Sequence, residues 1–124
     1  MHPQKILIVD DEKGICSTMI EFLQVEGSYE VDRAFDGCEG VAKYKKFHPD
    51  LVVMDISMPV MDGYESSRQI KSFDPSARIL VLTGNTFDAR ARKTIEEGIA
   101  LTLLQKPLRL RELHRIIQKN LSLC

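Results

Sequence analysis

LVVMDISMPVMDG, at residues 51–63, is the stretch of sequence that decides the fold. Its first four residues are apolar and turn-forming residues flank it on both sides, which is typical of a short strand covered on both faces. The apolar run stops at Asp55. An acid is poorly tolerated in such a strand except at the carboxyl end, where open α/β sheets have their ligand crevice. Asp55 is therefore the first candidate functional residue, although an aspartate after a strand often only opens a turn.

The composition is that of an ordinary globular protein. The chain has 124 residues, 44% hydrophobic residues and a net charge of -1, which predicts a single domain over residues 1–124 and argues against a dedicated nucleic-acid binder. No apolar run could span a bilayer and no signal-peptide core is visible, so we expect a cytoplasmic protein without a membrane partner. Cys16, Cys38 and Cys124 lack paired spacing and predict reduced thiols rather than disulfides or a zinc site.

Strand-like and helix-like segments alternate five times along the chain. Apolar runs predict strands at residues 5–9, 29–34, 51–55, 78–82 and 101–104. Apolar residues at helical spacing follow each strand, for example Ile15, Met19, Phe22 and Leu23 after the first. Charges interrupt residues 29–34, as expected of an edge strand. This alternation predicts an α/β fold with a parallel sheet and helices on both faces.

Polar side chains stand at the carboxyl ends of four of the five predicted strands. They are Asp10 and Asp11, Asp55, Thr83 and Lys106. Because the carboxyl ends of parallel strands share one edge of the sheet, these side chains are expected to meet in one crevice. Each has an ordinary explanation when taken alone, such as helix capping for Asp11 or strand propensity for Thr83. Their coincidence at four strand ends favours a functional site.

Three carboxylates and one amine in a crevice indicate a specific chemistry. Close carboxylates repel one another and have raised pKa values unless a cation joins them. A set of oxygen ligands that leaves room for water and phosphate suits Mg²⁺. A carboxylate beside Mg²⁺ can attack phosphorus to give an acyl phosphate, while the metal and a lysine neutralise charge on the phosphoryl oxygens. Asp55, at the end of the middle strand, is the best-placed nucleophile.

The sequence resembles a receiver domain of the two-component response-regulator family. The resemblance rests on four blocks in the family's order, namely ILIVDDE at 6–12, DLVVMDISMPVMDG at 50–63, ILVLTG at 79–84, and Lys106-Pro107. It covers essentially the whole chain. It implies a flavodoxin-like, doubly wound, five-stranded parallel sheet with strand order 2-1-3-4-5.

The resemblance also implies roles for the residues at the strand ends. Asp55 would be the phosphoacceptor, receiving a phosphoryl group from a phosphohistidine on a sensor histidine kinase or phosphotransfer protein. Asp10, Asp11 and Asp55 would hold Mg²⁺ together with the backbone carbonyl of Ser57. The implied function is a phosphorelay signalling switch. Such a switch is not an enzyme beyond self-catalysed phosphorylation and dephosphorylation.

Two further residues belong to the implied switch. Lys106 would bind a phosphoryl oxygen, and the bond to Pro107 is expected to be cis. Thr83 would move its hydroxyl onto the phosphoryl group, drawing residues 83–87 inward and shifting an equilibrium between two surface arrangements.

The sequence departs from the family pattern in two places. Leu103 stands where relatives usually have an aromatic residue whose rotamer reports the switch, so that part of the mechanism is not implied here. Residues 98–106 are one residue longer than usual, which predicts a bulge or a shifted register before the last strand.

Basic residues concentrate in the last third of the chain. Residues 1–87 carry nine bases and fourteen acids, whereas residues 88–124 carry eight bases and four acids. Relatives use this region for output and dimerisation, so it could contact an acidic output protein or a second receiver. The alternative is a solvated helical surface. Direct contact with nucleic acid is not expected. The basic set comprises Arg90, Arg92, Lys93, Arg109, Arg111, Arg115 and Lys119.

Other functional classes remain open. An aspartate-nucleophile phosphatase also forms an acyl phosphate, but it generally needs a second acid two residues later, where Ser57 stands. A flavin or nucleotide binder should have a glycine-rich or hydroxyl-rich loop after the first strand, where residues 10–12 are acidic. The sequence is also compatible with a receiver excised from a larger DNA-binding response regulator or hybrid histidine kinase.

Overall fold

The computed structural model describes residues 3–122, in which five strands alternate with five helices. The strands are β1 (Lys5–Val9), β2 (Glu30–Ala34), β3 (Leu51–Asp55), β4 (Ile79–Thr83) and β5 (Thr102–Gln105). The helices are α1 (Lys13–Glu26), α2 (Gly37–Phe47), α3 (Gly63–Phe73), α4 (Ala89–Glu96) and α5 (Leu110–Leu121). The predicted alternation is confirmed, and the boundaries move by only one or two residues.

The strands form one parallel sheet with the order β2-β1-β3-β4-β5. This order confirms the predicted doubly wound fold and places β3 in the middle, with β2 at an edge. The expected irregularity does not enter β5, which pairs with β4 over four consecutive residues. The turn before β5 accommodates the longer segment, because the amides of Ile99 and Ala100 both donate to the carbonyl of Thr94, at 2.8 and 3.0 Å.

The sheet divides the core into two layers. Successive strand residues point to opposite faces, so Ile6 and Ile8 pack under α1 and α5, while Leu7 and Val9 pack under α2, α3 and α4. The predicted apolar face of α1 is partly wrong, since Ile15 is 41% exposed. Cys16, Met19 and Leu23 form the buried stripe instead.

Three further predictions concern the Lys106–Pro107 peptide bond, the cysteines and membrane-spanning helices. The peptide bond between Lys106 and Pro107 is cis, as expected. Cys16 is a buried free thiol and Cys38 an exposed one, while Cys124 lies outside the described residues. Among residues 3–122, no helix combines the length and the apolar character that crossing a membrane requires.

Candidate functional site

Three predicted acids meet at the carboxyl edge of the sheet. Asp10 follows β1 and is fully buried, and Asp55 ends β3 with 3% of its surface exposed. Asp11 is exposed beside them. One carboxylate oxygen from each of the three lies within 4.8 Å of the other two. The parallel sheet has therefore gathered residues that are far apart in sequence.

Lys106, just after β5, reaches this cluster from the other side of β3. Its Nζ lies 3.1 Å from Asp55 Oδ1 and 3.4 Å from Asp10 Oδ2. The lysine side chain is 24% exposed. One ammonium group thus contacts both buried carboxylates, and the cluster keeps an excess of negative charge.

The charges in this cluster oppose one another. Burial raises the pKa of Asp55 to about 6, and the neighbouring Asp10 carboxylate raises it as well, while Lys106 and the Ser57 amide act in the opposite direction. Burial opposes the charge on Lys106, but Asp55 and Asp10 outweigh it and raise the pKa of the lysine. A divalent cation with oxygen ligands fits this site, because each of the three acids offers a carboxylate oxygen at compatible spacing. Such a cation would also offset the repulsion among the three carboxylates.

Thr83 lies at the same edge but its hydroxyl is engaged elsewhere. At the end of β4, Thr83 Oγ1 donates to the carbonyl of Asn85 at 2.8 Å and accepts from the amide of Asn85 at 3.1 Å. The hydroxyl is therefore held in its own turn rather than on Asp55. Space is open beside it, because a Cβ placed on Gly84 would meet no atom within 4 Å.

The loop from residue 56 to residue 62 shapes the other wall of the site. The amide of Ser57 donates to Asp55 Oδ1 at 3.4 Å, and the Ser57 side chain is exposed. Asp62 caps α3 by accepting from the amide of Glu65 at 2.9 Å. Gly63 begins α3 so close to β3 that a Cβ would overlap the carbonyl oxygen of Asp55. The close approach of α3 to β3 therefore requires glycine at position 63, while Asp62 stabilises the start of the helix.

Sequence reasoning missed two residues beside the site. Cys16 Sγ donates to the carbonyl of Asp10 at 3.3 Å, and burial, reinforced by Asp10, raises the pKa of the thiol to about 11. Arg90 Nη2 donates to Ser57 Oγ at 3.1 Å. Helical spacing with Met19 could have marked Cys16 as buried. Nothing in the sequence separates Arg90 from the neighbouring basic residues.

Comparisons with known proteins agree with this geometry. The sequence matches the family model for the response regulator receiver domain over residues 6–118. The chemotaxis protein CheY of Bacillus subtilis is 36% identical over 119 residues, which cover 95% of this chain and 98% of that protein.

Solved structures show the same similarity. A CheY-like response regulator receiver domain protein from Methanospirillum hungatei has a TM-score of 0.91 and 30% identity, covering 98% of this chain and 95% of its own. The response regulator TrrA from Thermotoga maritima, solved in complex with Mg²⁺-BeF, has a TM-score of 0.81 and 34% identity, with coverage of 94% and 97%. Sequence, fold and the position of the acidic cluster lead to one conclusion, that the chain belongs to the response regulator receiver domain family.

Proposed function

We propose that this protein is a phosphorelay switch in which Asp55 accepts a phosphoryl group from a histidine kinase or phosphotransfer protein. Receiver domains are signalling switches of two-component systems rather than conventional enzymes. One observation carries the assignment to Asp55, namely that this carboxylate contacts Lys106 at 3.1 Å inside a cluster of three acids. We assign this role to a single receiver domain over residues 1–124, located in the cytoplasm.

Asp10, Asp11 and Asp55 would hold Mg²⁺, with the backbone carbonyl of Ser57 as a further ligand. The oxygen donors and the uncompensated negative charge support this choice. TrrA, which is 34% identical, was solved with Mg²⁺-BeF. When bound, the ion supplies positive charge to the phosphoryl oxygens.

The chain's own groups account for the rest of the reaction. A bond forms between an Asp55 carboxylate oxygen and phosphorus, while the bond from phosphorus to the donor imidazole nitrogen breaks. The electron pair of that bond stays on the imidazole. Lys106, already within reach of Asp55, neutralises charge on the transferred group. Asp55 must be ionised to attack, and the ammonium group favours that form.

Thr83 and its loop would carry the signal away from the site. Its hydroxyl exchanges the bond to Asn85 for a bond to the phosphoryl group, and this exchange draws residues 83–87 inward. Phe87, whose amide donates to Asn85 Oδ1 at 2.9 Å, moves with that turn. Leu103 is half-buried on β5 and contacts the core beneath α4. The exchange at Thr83 then changes the surface around α4.

We place the partner surface, for an output protein or a second receiver, around α4 and β5. Phe87, Ile95 and Leu101 are exposed there, by 75%, 40% and 49%. Part of the basic set is already neutralised, since Lys93 pairs with Glu97 and Arg115 with Glu112. We therefore expect apolar contact, more than charge, to dominate partner binding.

Phosphorylation with a small donor tests the proposal. The protein is incubated with acetyl phosphate and Mg²⁺, and its intact mass is measured with and without a chelator. We expect the wild type to gain one phosphoryl group only with Mg²⁺, and Asp55→Asn to gain none. Asp50→Asn is the matched control, because Asp50 lies before β3 and accepts from the amide of Lys5 at 2.8 Å. Equal labelling of Asp55→Asn and wild type would exclude Asp55 as the acceptor.

A further inference from the structure

Arg90 joins helix α4 to the loop that follows the phosphoacceptor strand. It lies in the first turn of α4, where its own amide donates to the capping carboxylate of Asp88 at 2.8 Å. Its guanidinium reaches the loop that follows β3. Nη2 donates to Ser57 Oγ at 3.1 Å, and Nη1 lies 3.6 Å from Asp62 Oδ2.

The acids around Arg90 hold its guanidinium in a defined orientation. Nη2 lies 3.2 Å from Asp88 Oδ2, so the cap of α4 holds one side of the group. Asp62 holds the other side with one oxygen while its second oxygen caps α3. A planar guanidinium presents its N–H donors in a fixed arrangement, so it loses less conformational freedom per hydrogen bond than a lysine ammonium at the end of a flexible chain. Arg90 therefore connects the N-termini of α3 and α4 with Ser57 through hydrogen bonds and ion pairs.

Ser57 connects these contacts of Arg90 to the Asp55 carboxylate. Its hydroxyl accepts from Arg90, and its amide donates to Asp55 Oδ1 at 3.4 Å. The Ser57 side chain is exposed and the residue lies in an irregular loop. Fixing such a backbone before a ligand arrives removes an entropy cost from binding.

We propose that Arg90 is a positioning residue for cation binding at the Asp55 site, because its hydrogen bond to the Ser57 hydroxyl restrains the residue whose backbone carbonyl we assign to the ion. This inference rests on the proposed function. The direction of the expected change in Mg²⁺ affinity distinguishes positioning from a simple charge effect. Arg90 is a cation near a cation site, so deleting it would tighten Mg²⁺ binding if only charge mattered. Loss of positioning weakens Mg²⁺ binding instead.

Calorimetric titration with Mg²⁺ alone tests this sign. Loss of a hydrogen bond of ordinary strength predicts that Arg90→Ala and Arg90→Lys each raise the Kd for Mg²⁺ by about threefold to tenfold. Arg90→Lys keeps the charge and so isolates the geometry. Arg92→Ala is the matched control, because Arg92 lies on the same helix with its Cζ 4.9 Å from the centroid of the Phe87 ring. This variant should leave the Kd for Mg²⁺ within about twofold of the wild-type value. An unchanged or lower Kd in both Arg90 variants would overturn the proposal.

Labelling kinetics separate positioning from general damage. With acetyl phosphate, the Arg90 variants should need more Mg²⁺ for half-maximal rate and yet reach the wild-type rate at saturation. A lower rate at saturating Mg²⁺ with unchanged half-saturation would contradict the positioning role. Thermal melting without Mg²⁺ verifies that each variant is folded. If wild type itself neither binds Mg²⁺ nor becomes labelled, the proposed function fails, which is a different outcome.

A double-mutant cycle tests the route through Ser57. Ser57→Ala removes the hydroxyl that accepts from Arg90 but keeps the backbone carbonyl. If Arg90 acts through Ser57, then Ser57→Ala raises the Kd similarly and the double variant raises it no further. Fully additive effects would show that Arg90 acts by another route and would overturn the inference. The cycle can be run with Arg90→Lys if Arg90→Ala does not fold.

Discussion

The protonation of Asp55 is subject to opposing influences from its surroundings. Burial and the adjacent Asp10 raise its pKa to about 6, whereas Lys106 and the Ser57 amide favour the charged form. An acid in a crevice whose pKa is perturbed by both burial and specific charged neighbours is typical of functional sites. A bound cation would tip this balance toward the ionised nucleophile.

Val60, in the loop between β3 and α3, has a strained backbone conformation. It has φ of +70° and is 83% exposed, so a β-branched side chain occupies the left-handed region without gaining burial. This conformation costs about 1–2 kcal/mol, and asparagine tolerates it better. We expect Val60→Asn to raise the free energy of unfolding by about 0.5–1 kcal/mol in urea denaturation without metal.

Val25→Asn is the control for that prediction. Val25 is also exposed, by 72%, but it lies in α1. Valine and asparagine have similar helix propensities, so the stability should stay within about 0.5 kcal/mol. If both variants changed stability equally, the strain at Val60 would not be the cause.

Helix α3 begins where it does because Gly63 lets it approach β3. A Cβ at Gly63 would lie 2.7 Å from Ile56 Cα and would overlap the Asp55 carbonyl oxygen, and neither backbone atom can yield cheaply. We expect Gly63→Ala to destabilise the protein by about 1–3 kcal/mol and to slow phosphorylation, because the carbonyl belongs to the acceptor residue. Thermal melting and the labelling rate measure the two effects.

Gly14→Ala is the control for Gly63→Ala, and we expect it to change the free energy of unfolding in the opposite direction. Gly14 lies in α1 and a Cβ there meets no atom within 4 Å. Alanine is the better helix former, so we expect a gain of about 0.5 kcal/mol at this position near the helix start. Destabilisation of both variants to the same degree would argue against close contact as the reason for Gly63.

A hydrogen bond from the buried Tyr44 links α2 to Asp74, the residue that follows α3, in addition to the bond from Ser66 Oγ to the carbonyl of Gly37. Tyr44 Oη donates to Asp74 Oδ2 at 2.6 Å, and this bond, with a smaller contribution from Ser76, lowers the pKa of Asp74. A lowered pKa means that the stabilisation is complete above the ordinary aspartate pKa and is lost as the pH falls below it. We expect Tyr44→Phe to cost about 1 kcal/mol at pH 7 and less in acid.

Denaturant unfolding at pH 7 and at about pH 3, below the ordinary aspartate pKa, measures this dependence. Tyr64→Phe is the matched control, because Tyr64 makes a bond of the same length to Glu97 at the surface, where water can replace it. A cost of Tyr44→Phe that is independent of pH would contradict the assigned role of Asp74.

At the scale of the whole molecule, most of what the sequence could predict follows from the parallel arrangement of the strands. Asp10, Asp55 and Lys106 were predictable because each stands at or directly after the carboxyl end of a strand, and the sheet brings all such ends to one edge. The Thr83 hydroxyl was not, because its own turn competes for the bond. Arg90 was not, because its contacts depend on how α4 is rotated against the loop after β3.

Binding of a phosphoryl mimic tests most directly whether the strand ends build one cation-dependent phosphoryl site. Fluorine NMR would follow beryllium fluoride added to wild type and to Asp55→Asn, each with and without Mg²⁺. We predict a bound signal only for wild type with Mg²⁺, together with amide shifts at Thr83 and Lys106. A bound signal of equal strength in Asp55→Asn, or one in wild type that does not need Mg²⁺, would contradict this account.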